Sequence, residues 1–84
     1  MTWIVNWLPG AEDELATIWL ESEERDAVTS ASHSIDERLG TDPENEGESR
    51  AEDRRIIFAP PLGAIYRVLH DQNLVQVLHV WRYG

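Results

Sequence analysis

The chain opens with a run rich in β-branched and aromatic residues, Trp3-Ile4-Val5-Asn6-Trp7-Leu8, which Pro9-Gly10 ends. That composition predicts a short strand. The period then changes. Ala11, Leu15, Ile18 and Trp19 recur at steps of three and four, as on one helix face, and Glu12, Asp13 and Glu14 fall early, where acids complement the helix dipole. Val28, Ala31, Ile35 and Leu39 repeat the spacing, and Gly40 stands where a C′ glycine would close the helix. Ser22-Glu23-Glu24 separates the two sets and is placed to cap the second helix, which makes a helical hairpin. One long helix is the competing reading.

Residues 41–49 form an acidic stretch without periodicity and read as a loop. Three strand-like runs follow. Residues 54–59 end at Pro60-Pro61, 62–70 end at Asp71-Gln72-Asn73, and 74–81 complete the set. Connectors this short predict an antiparallel meander. The expected architecture is one α+β domain spanning residues 1–84. It has two layers, an N-terminal strand and helical hairpin packed on an antiparallel sheet of three to four strands.

Side chains alternate across a strand, so the assumed turns sort residues by face. A tight turn pairing Asp71 with Leu74, and one pairing Ala59 with Leu62, put Ile57, Ala64, Tyr66, Val68, Val75, Val77 and Trp81 on one face with Arg55 and His79. This nearly apolar set is expected under the helices. The opposite face collects Ile56, Phe58, Ile65, Leu69, Leu78 and Val80 with Arg54, Arg67 and Arg82. Those arginines read in two ways. They are solvated strand residues or partners of acids elsewhere, since arginine is mostly exposed and its stem covers apolar surface. Alternatively they form an anion or acidic-partner site, because guanidinium forks match phosphate and carboxylate. Their clustering on an apolar, uncovered face favours a contact surface.

Composition narrows the chemistry. With 42% apolar residues and four tryptophans, the 84-residue chain supports a core despite a net charge of −9. It contains no cysteine and no lysine, which removes disulfides, thiol nucleophiles, Schiff-base lysines and the phosphate-loop lysine. The charge is uneven: residues 1–49 carry thirteen acids and two arginines, residues 50–84 three acids and five arginines. A net acidic chain argues against non-specific nucleic-acid binding but leaves room for a local basic patch. No apolar run reaches the ~20 residues of a membrane span, and Met1-Thr2-Trp3 lacks a signal-peptide pattern, so the expected compartment is the cytoplasm.

Other candidate chemistry is weak. His33, His70 and His79 do not converge for a metal; in the assumed hairpin His79 lies ~16 Å along from the turn that carries His70. Gly47-Glu48-Ser49-Arg50-Ala51 has glycine-serine spacing like a nucleophile elbow but precedes a strand, whereas the elbow requires a strand-to-helix turn. Asp42, Glu44, Glu46 and Glu48 do not meet calcium-loop spacing. No metal and no cofactor are expected.

In their order and spacing, Leu15-Ala16-Thr17-Ile18-Trp19, Ile35-Asp36-Glu37-Arg38-Leu39, Gly47-Glu48-Ser49-Arg50, Arg54-Arg55-Ile56-Ile57, Pro60-Pro61-Leu62, Ile65-Tyr66-Arg67-Val68 and Val77-Leu78-His79-Val80-Trp81-Arg82 resemble the RelE/ParE superfamily of bacterial type II toxins. The resemblance covers nearly the whole chain. It implies a cytoplasmic plasmid-stabilisation toxin partnered by a cognate antitoxin. RelE-like members cleave mRNA on the ribosome, and ParE-like members poison DNA gyrase without being ribonucleases. The RelE-like arginine that precedes the third-strand tyrosine by three residues is Gly63 here, and the basic C-terminus reduces to Arg82-Tyr83-Gly84. Tyr66-Arg67-Val68 looks closer to the ParE side.

The resulting expectation is a toxin that binds its target, such as gyrase, through Arg54, Arg67 and Arg82, with Phe58 and Ile65 as apolar contacts. The alternatives are a ribosome-dependent endoribonuclease in which those arginines hold phosphate and Tyr83 assists, or an inactive relative that binds only an antitoxin. Tyr83 is the one catalytic candidate, and the assumed register turns it to the face opposite the arginines. Arginine itself is a poor proton shuttle.

Overall fold

A computed structural model describes residues 2–49 and 53–83. In chain order it runs β1 (Ile4–Trp7), α1 (Pro9–Glu21), α2 (Arg25–Thr41), α3 (Pro43–Glu46), β2 (Glu48–Ser49), β3 (Arg54–Ala59), β4 (Leu62–Leu69), a 3₁₀ turn (His70–Gln72) and β5 (Leu74–Arg82). The strands form one sheet in the order β1-β5-β4-β3-β2. The expected meander is β3-β4-β5, all antiparallel, while β1 joins parallel to β5 and the two-residue β2 flanks β3. The sheet is therefore five-stranded and mixed. The helices cover one of its faces.

The helical hairpin forms where the periodicity places it, except that Trp19, spaced with the apolar set of α1, is exposed and meets Thr29 and Arg25 instead of the core. Val28, Ala31, Ile35 and Leu39 are all buried on α2, and Ala11 is buried on α1 with Leu15 and Ile18 packed beside it. Proline takes the first position of α1, where its missing N–H costs nothing. Ser22 does not cap α2. It ends α1, and its hydroxyl accepts the Glu24 N–H at 3.0 Å across the turn. Gly40 is not the C′ residue either, because α2 runs on to Thr41. The Gly40 carbonyl accepts the Trp3 N–H at 2.8 Å, tying the helix end to the strand beside it.

The 41–49 stretch is also ordered, into α3 and β2, by side chains from elsewhere. Arg38 pairs with Glu46 at 2.7 Å and donates to the Phe58 carbonyl at 3.0 Å. Buried Tyr66 donates its hydroxyl to the Pro43 carbonyl at 2.6 Å, and Arg55 donates to the Gly47 carbonyl at 2.6 Å. A Cβ at Gly47 would stand 2.6 Å from the Ile56 carbonyl oxygen and 2.7 Å from the Tyr66 hydroxyl, so only glycine fits this crossing. Burial drives the Tyr66 pKa above its ordinary value of 10.0, against the opposing pull of Arg55.

The core lies between helices and sheet, with Ile57, Ala59, Leu62, Ala64, Tyr66, Val68, Val75, Val77 and Val80 as its sheet side. Four members of the expected sorting change sides, His79, Val80, Trp81 and Arg82. Val80 is core, whereas Trp81 lies on the uncovered face. The cause is an irregularity in the β4–β5 ladder: Tyr66 faces Val77 but Ile65 faces His79, leaving Leu78 as an extra residue. One extra residue inverts every side chain beyond it. The β4–β5 turn differs too. It pairs Leu69 with Leu74 through a 3₁₀ turn and a left-handed Asn73 (φ 52°), two residues from the expected pairing. A two-residue shift preserves parity, so Val75 and Val77 still face the core.

Candidate functional site

The face left bare by the helices is organised by the β3–β4 register, which follows the assumed turn at residues 60–61 along its whole length. Arg54 lies directly opposite Arg67, Ile56 opposite Ile65, and Phe58 opposite Gly63. Since Ile57, Ala64, Tyr66 and Val68 point into the core, these six positions point outward. Arg54, Arg67, Ile65 and Phe58 are thus brought together as the sequence predicts. Opposed positions place backbones ~4.5–5.5 Å apart, and like charges in that relation are destabilising.

Only one member of the arginine pair is tied down. The Arg67 Nε donates to Gln76 Oε1 at 2.8 Å from the neighbouring strand. Among the described residues, no carboxylate forms an ion pair with Arg54 or Arg67. Asn6 pairs with Gln76 in turn, so one row across four strands reads Asn6, Gln76, Arg67, Arg54. These are donor-rich side chains around two guanidinium forks, an arrangement that suits an oxyanion such as a phosphate or carboxylate.

The other end of the same face is aromatic. Trp81 pairs with Gly63 and its indole occupies the space above that glycine; a Cβ there would lie 2.7 Å from the indole Cε2. Phe58 meets Trp81 edge-to-face at 6.3 Å and Tyr83 at 5.2 Å. Phe58 is 46% exposed and Tyr83 36%, so the group is open to contact. Ile56 and Ile65 link the two ends.

Two candidate positions differ from expectation because of the β5 bulge. Arg82 pairs with buried Leu62 and lines a cleft beside α1, so it stands on the helix-covered side, away from Arg54 and Arg67. Tyr83 comes round to the arginine-bearing face. Its backbone N–H donates to the Pro61 carbonyl, six residues along the chain from Arg67, or ~20 Å of strand. A single phosphodiester does not span that distance. Trp81, Gln76 and Asn6 were missed as site residues; the alternation of β1 and β5 carries the signal for the last two, and nothing local signals the first. Arg50, Ala51 and Gly84, named above in sequence motifs, lie outside the described residues.

No metal-holding group of histidines and acids occurs among the described residues, and no helix is long and apolar enough to cross a membrane. His70 and His79 instead approach separate glutamates, Glu44 at 3.3 Å and Glu14 at 3.4 Å.

No protein-family model matches the sequence, and comparison with curated proteins gives no match. Solved structures do match. The toxin–antitoxin complex RelBE2 of Mycobacterium tuberculosis contains a chain that superposes with a TM-score of 0.81 at 14% identity, over 98% of this chain and 99% of that one. A chain of the chromosomal ParDE system of P. aeruginosa gives 0.68 at 18% identity, over 99% and 98%. The intact E. coli RelBE toxin–antitoxin complex gives 0.69 at 15% identity, over 98% of each chain. Identities this low speak to architecture, and the architecture of this chain is the RelE/ParE toxin fold.

Proposed function

We propose that this protein is the toxin of a bacterial type II toxin–antitoxin pair of the plasmid-stabilisation kind, held by a cognate antitoxin in the cytoplasm. It acts by binding a cellular target, with DNA gyrase as the expected class, and not by cutting RNA. The observation that carries the reading is the Arg54–Arg67 pair, two like charges opposed across β3 and β4 with no carboxylate between them among the described residues. Such a pair weakens the isolated fold and strengthens it once an anionic partner lies across both. The fold shared with toxins of known complexes supports the antitoxin partner.

The ribonuclease alternative draws support from one fact, the presence of Tyr83 on the arginine face. Distance weighs against it. General acid–base work requires hydrogen-bond reach of the reacting oxygen, and Tyr83 lies ~20 Å along the strands from Arg67. Trp81 also fills the space over Gly63 where the RelE-like pattern has an arginine. Inducing the protein in cells while following incorporation of labelled methionine and labelled thymidine separates the readings. Replication is expected to fail first. Ribosome-dependent mRNA cuts that disappear in Tyr83→Phe would overturn the proposal in favour of the nuclease.

A further inference from the structure

A second surface lies on the opposite side of β5. Strand β1 pairs with β5 only over Leu74–Val77; the chain then leaves the sheet, and the Leu8 N–H makes the last contact, to the Val77 carbonyl. Beyond that point the outer edge of β5 has no neighbouring strand among the described residues. Backbone direction there is fixed by two hydrogen bonds. The Tyr83 N–H points inward to Pro61 of the β4 side, and the Val80 N–H points outward, to Glu14 Oε1 at 3.2 Å. Arg82 alternates with Tyr83 and shares the outward direction of Val80, so its N–H and C=O face out beside α1.

This edge forms one wall of a cleft of about 400 Å³, whose other wall is α1 with Asp13, Glu14, Thr17 and Ile18. The protein already uses one of the edge donors: the Glu14 carboxylate stands where the carbonyl of an added strand would accept the Val80 N–H. Arg82 at the mouth has no ion-pair partner among the described residues, while Asp13 and Glu14 make the opposite rim acidic. Hydrogen-bonding edge, apolar floor and opposed charges together suit a short extended peptide and exclude a helix, which offers no free backbone groups to the edge.

We infer that an extended segment of the antitoxin adds to the outer edge of β5 at Val80–Arg82, seating an apolar side chain against Ile18 and a carboxylate on Arg82. The inference rests on the proposed toxin role for its partner, and on the strand edge and cleft for its site. It also separates two functions by face. The target meets the bare sheet face, and the antitoxin segment holds the cleft behind it.

Backbone chemistry supplies a selective test. The Arg82 N–H makes no bond to β4, so Arg82→Pro removes an outward donor and leaves the β4–β5 ladder intact, the setting in which strands tolerate proline. Arg82→Ala removes the side chain and keeps the donor. The products of the two flanking open reading frames are co-expressed with each variant, and affinity is measured for the one that binds. Circular dichroism melts confirm the folding of each variant, and Ile18→Glu, which puts a charge on the half-buried groove floor, serves as an independent block. The expected result is a several-fold loss for Arg82→Ala and a loss of tenfold or more beyond it for Arg82→Pro, with the Arg82 amide protected from hydrogen exchange in the complex. A complex that forms equally well with Arg82→Pro and Ile18→Glu overturns the cleft and leaves the toxin reading standing. Absence of any complex with either flanking product overturns both. Self-association of the isolated protein that Arg82→Pro abolishes would overturn the occupant, replacing the antitoxin with a second copy.

Discussion

Replacing Gly63 by alanine should change sign with its background. In the native chain the new methyl would stand 2.7, 2.8 and 2.9 Å from Cε2, Cζ2 and Nε1 of the Trp81 indole, closer than van der Waals contact allows. The indole is half-exposed and must swing away, surrendering its seat over the strand and its edge-to-face contact with Phe58. Overpacking of this kind costs about 1–3 kcal/mol. Against it stands a gain of about 0.5–1 kcal/mol, since glycine inside a strand loses more backbone entropy than alanine. The native background should therefore show a net loss of up to about 2.5 kcal/mol, a fall in Tm of up to roughly 20 °C for a domain this small. With Trp81→Ala already in place the indole no longer opposes the methyl, and Gly63→Ala should stabilise by about 0.5–1 kcal/mol. Four urea titrations followed by far-ultraviolet circular dichroism complete the double-mutant cycle. Effects that add within about 0.5 kcal/mol would refute the contact, and with it the placement of Trp81 on the bare face.

Tyr66→Ala hollows the centre of the core and should cost about 3–5 kcal/mol, against a smaller loss of about 2 kcal/mol for half-exposed Trp81→Ala; equal melting shifts would contradict the assigned faces. Tyr66→Phe leaves the Pro43 carbonyl without its donor and should cost about 1–3 kcal/mol, with amide exchange in residues 43–49 accelerating more than in α1. In the unfolded chain Tyr66 ionises near its ordinary value of 10.0 while in the folded protein it holds its proton to higher pH, so stability should fall as pH rises past 10.0, and less steeply in Tyr66→Phe. Arg67→Ala removes both a like-charge repulsion and the Gln76 hydrogen bond, so urea unfolding should move by less than about 1 kcal/mol while growth inhibition on induction disappears. Arg67→Lys should recover only part of the inhibition, because the charge stays and the fork is lost. Tyr83→Phe should leave growth inhibition unchanged; a loss of ~100-fold in toxicity would point to a proton-transfer role.

Much of this molecule is written locally. Val28, Ala31, Ile35 and Leu39 are spaced for one helix face, and all four are buried. The two prolines at 60–61 fix a turn, and alternation from that turn places Arg54 against Arg67 without further information. These features were legible because each depends on a repeat within one or two neighbouring elements. The sheet partner of β1 was not legible. Its four residues read as a strand, but parallel pairing with Leu74–Val77 joins segments seventy residues apart. Nor was the order in residues 43–49, which comes from Arg38, Arg55 and Tyr66 reaching in from three other elements.

The candidate site divides along the same line. Sequence alternation alone determined the shared face of Arg54, Arg67, Ile65 and Phe58. Tertiary structure decided the fate of β5, where Leu78 is the extra residue. That single insertion in the ladder put Trp81 and Tyr83 onto the bare face and sent Val80 and Arg82 to the helix side. Nothing in Val77-Leu78-His79-Val80 marks it, since apolar residues occupy both faces of this strand. Its position is set by partners distant in sequence: the core space that accepts Val80, the bare Gly63 that accepts the Trp81 ring, and the Glu14 carboxylate that satisfies the Val80 N–H. Period tells a strand which residues travel together, and only packing tells it which way they face.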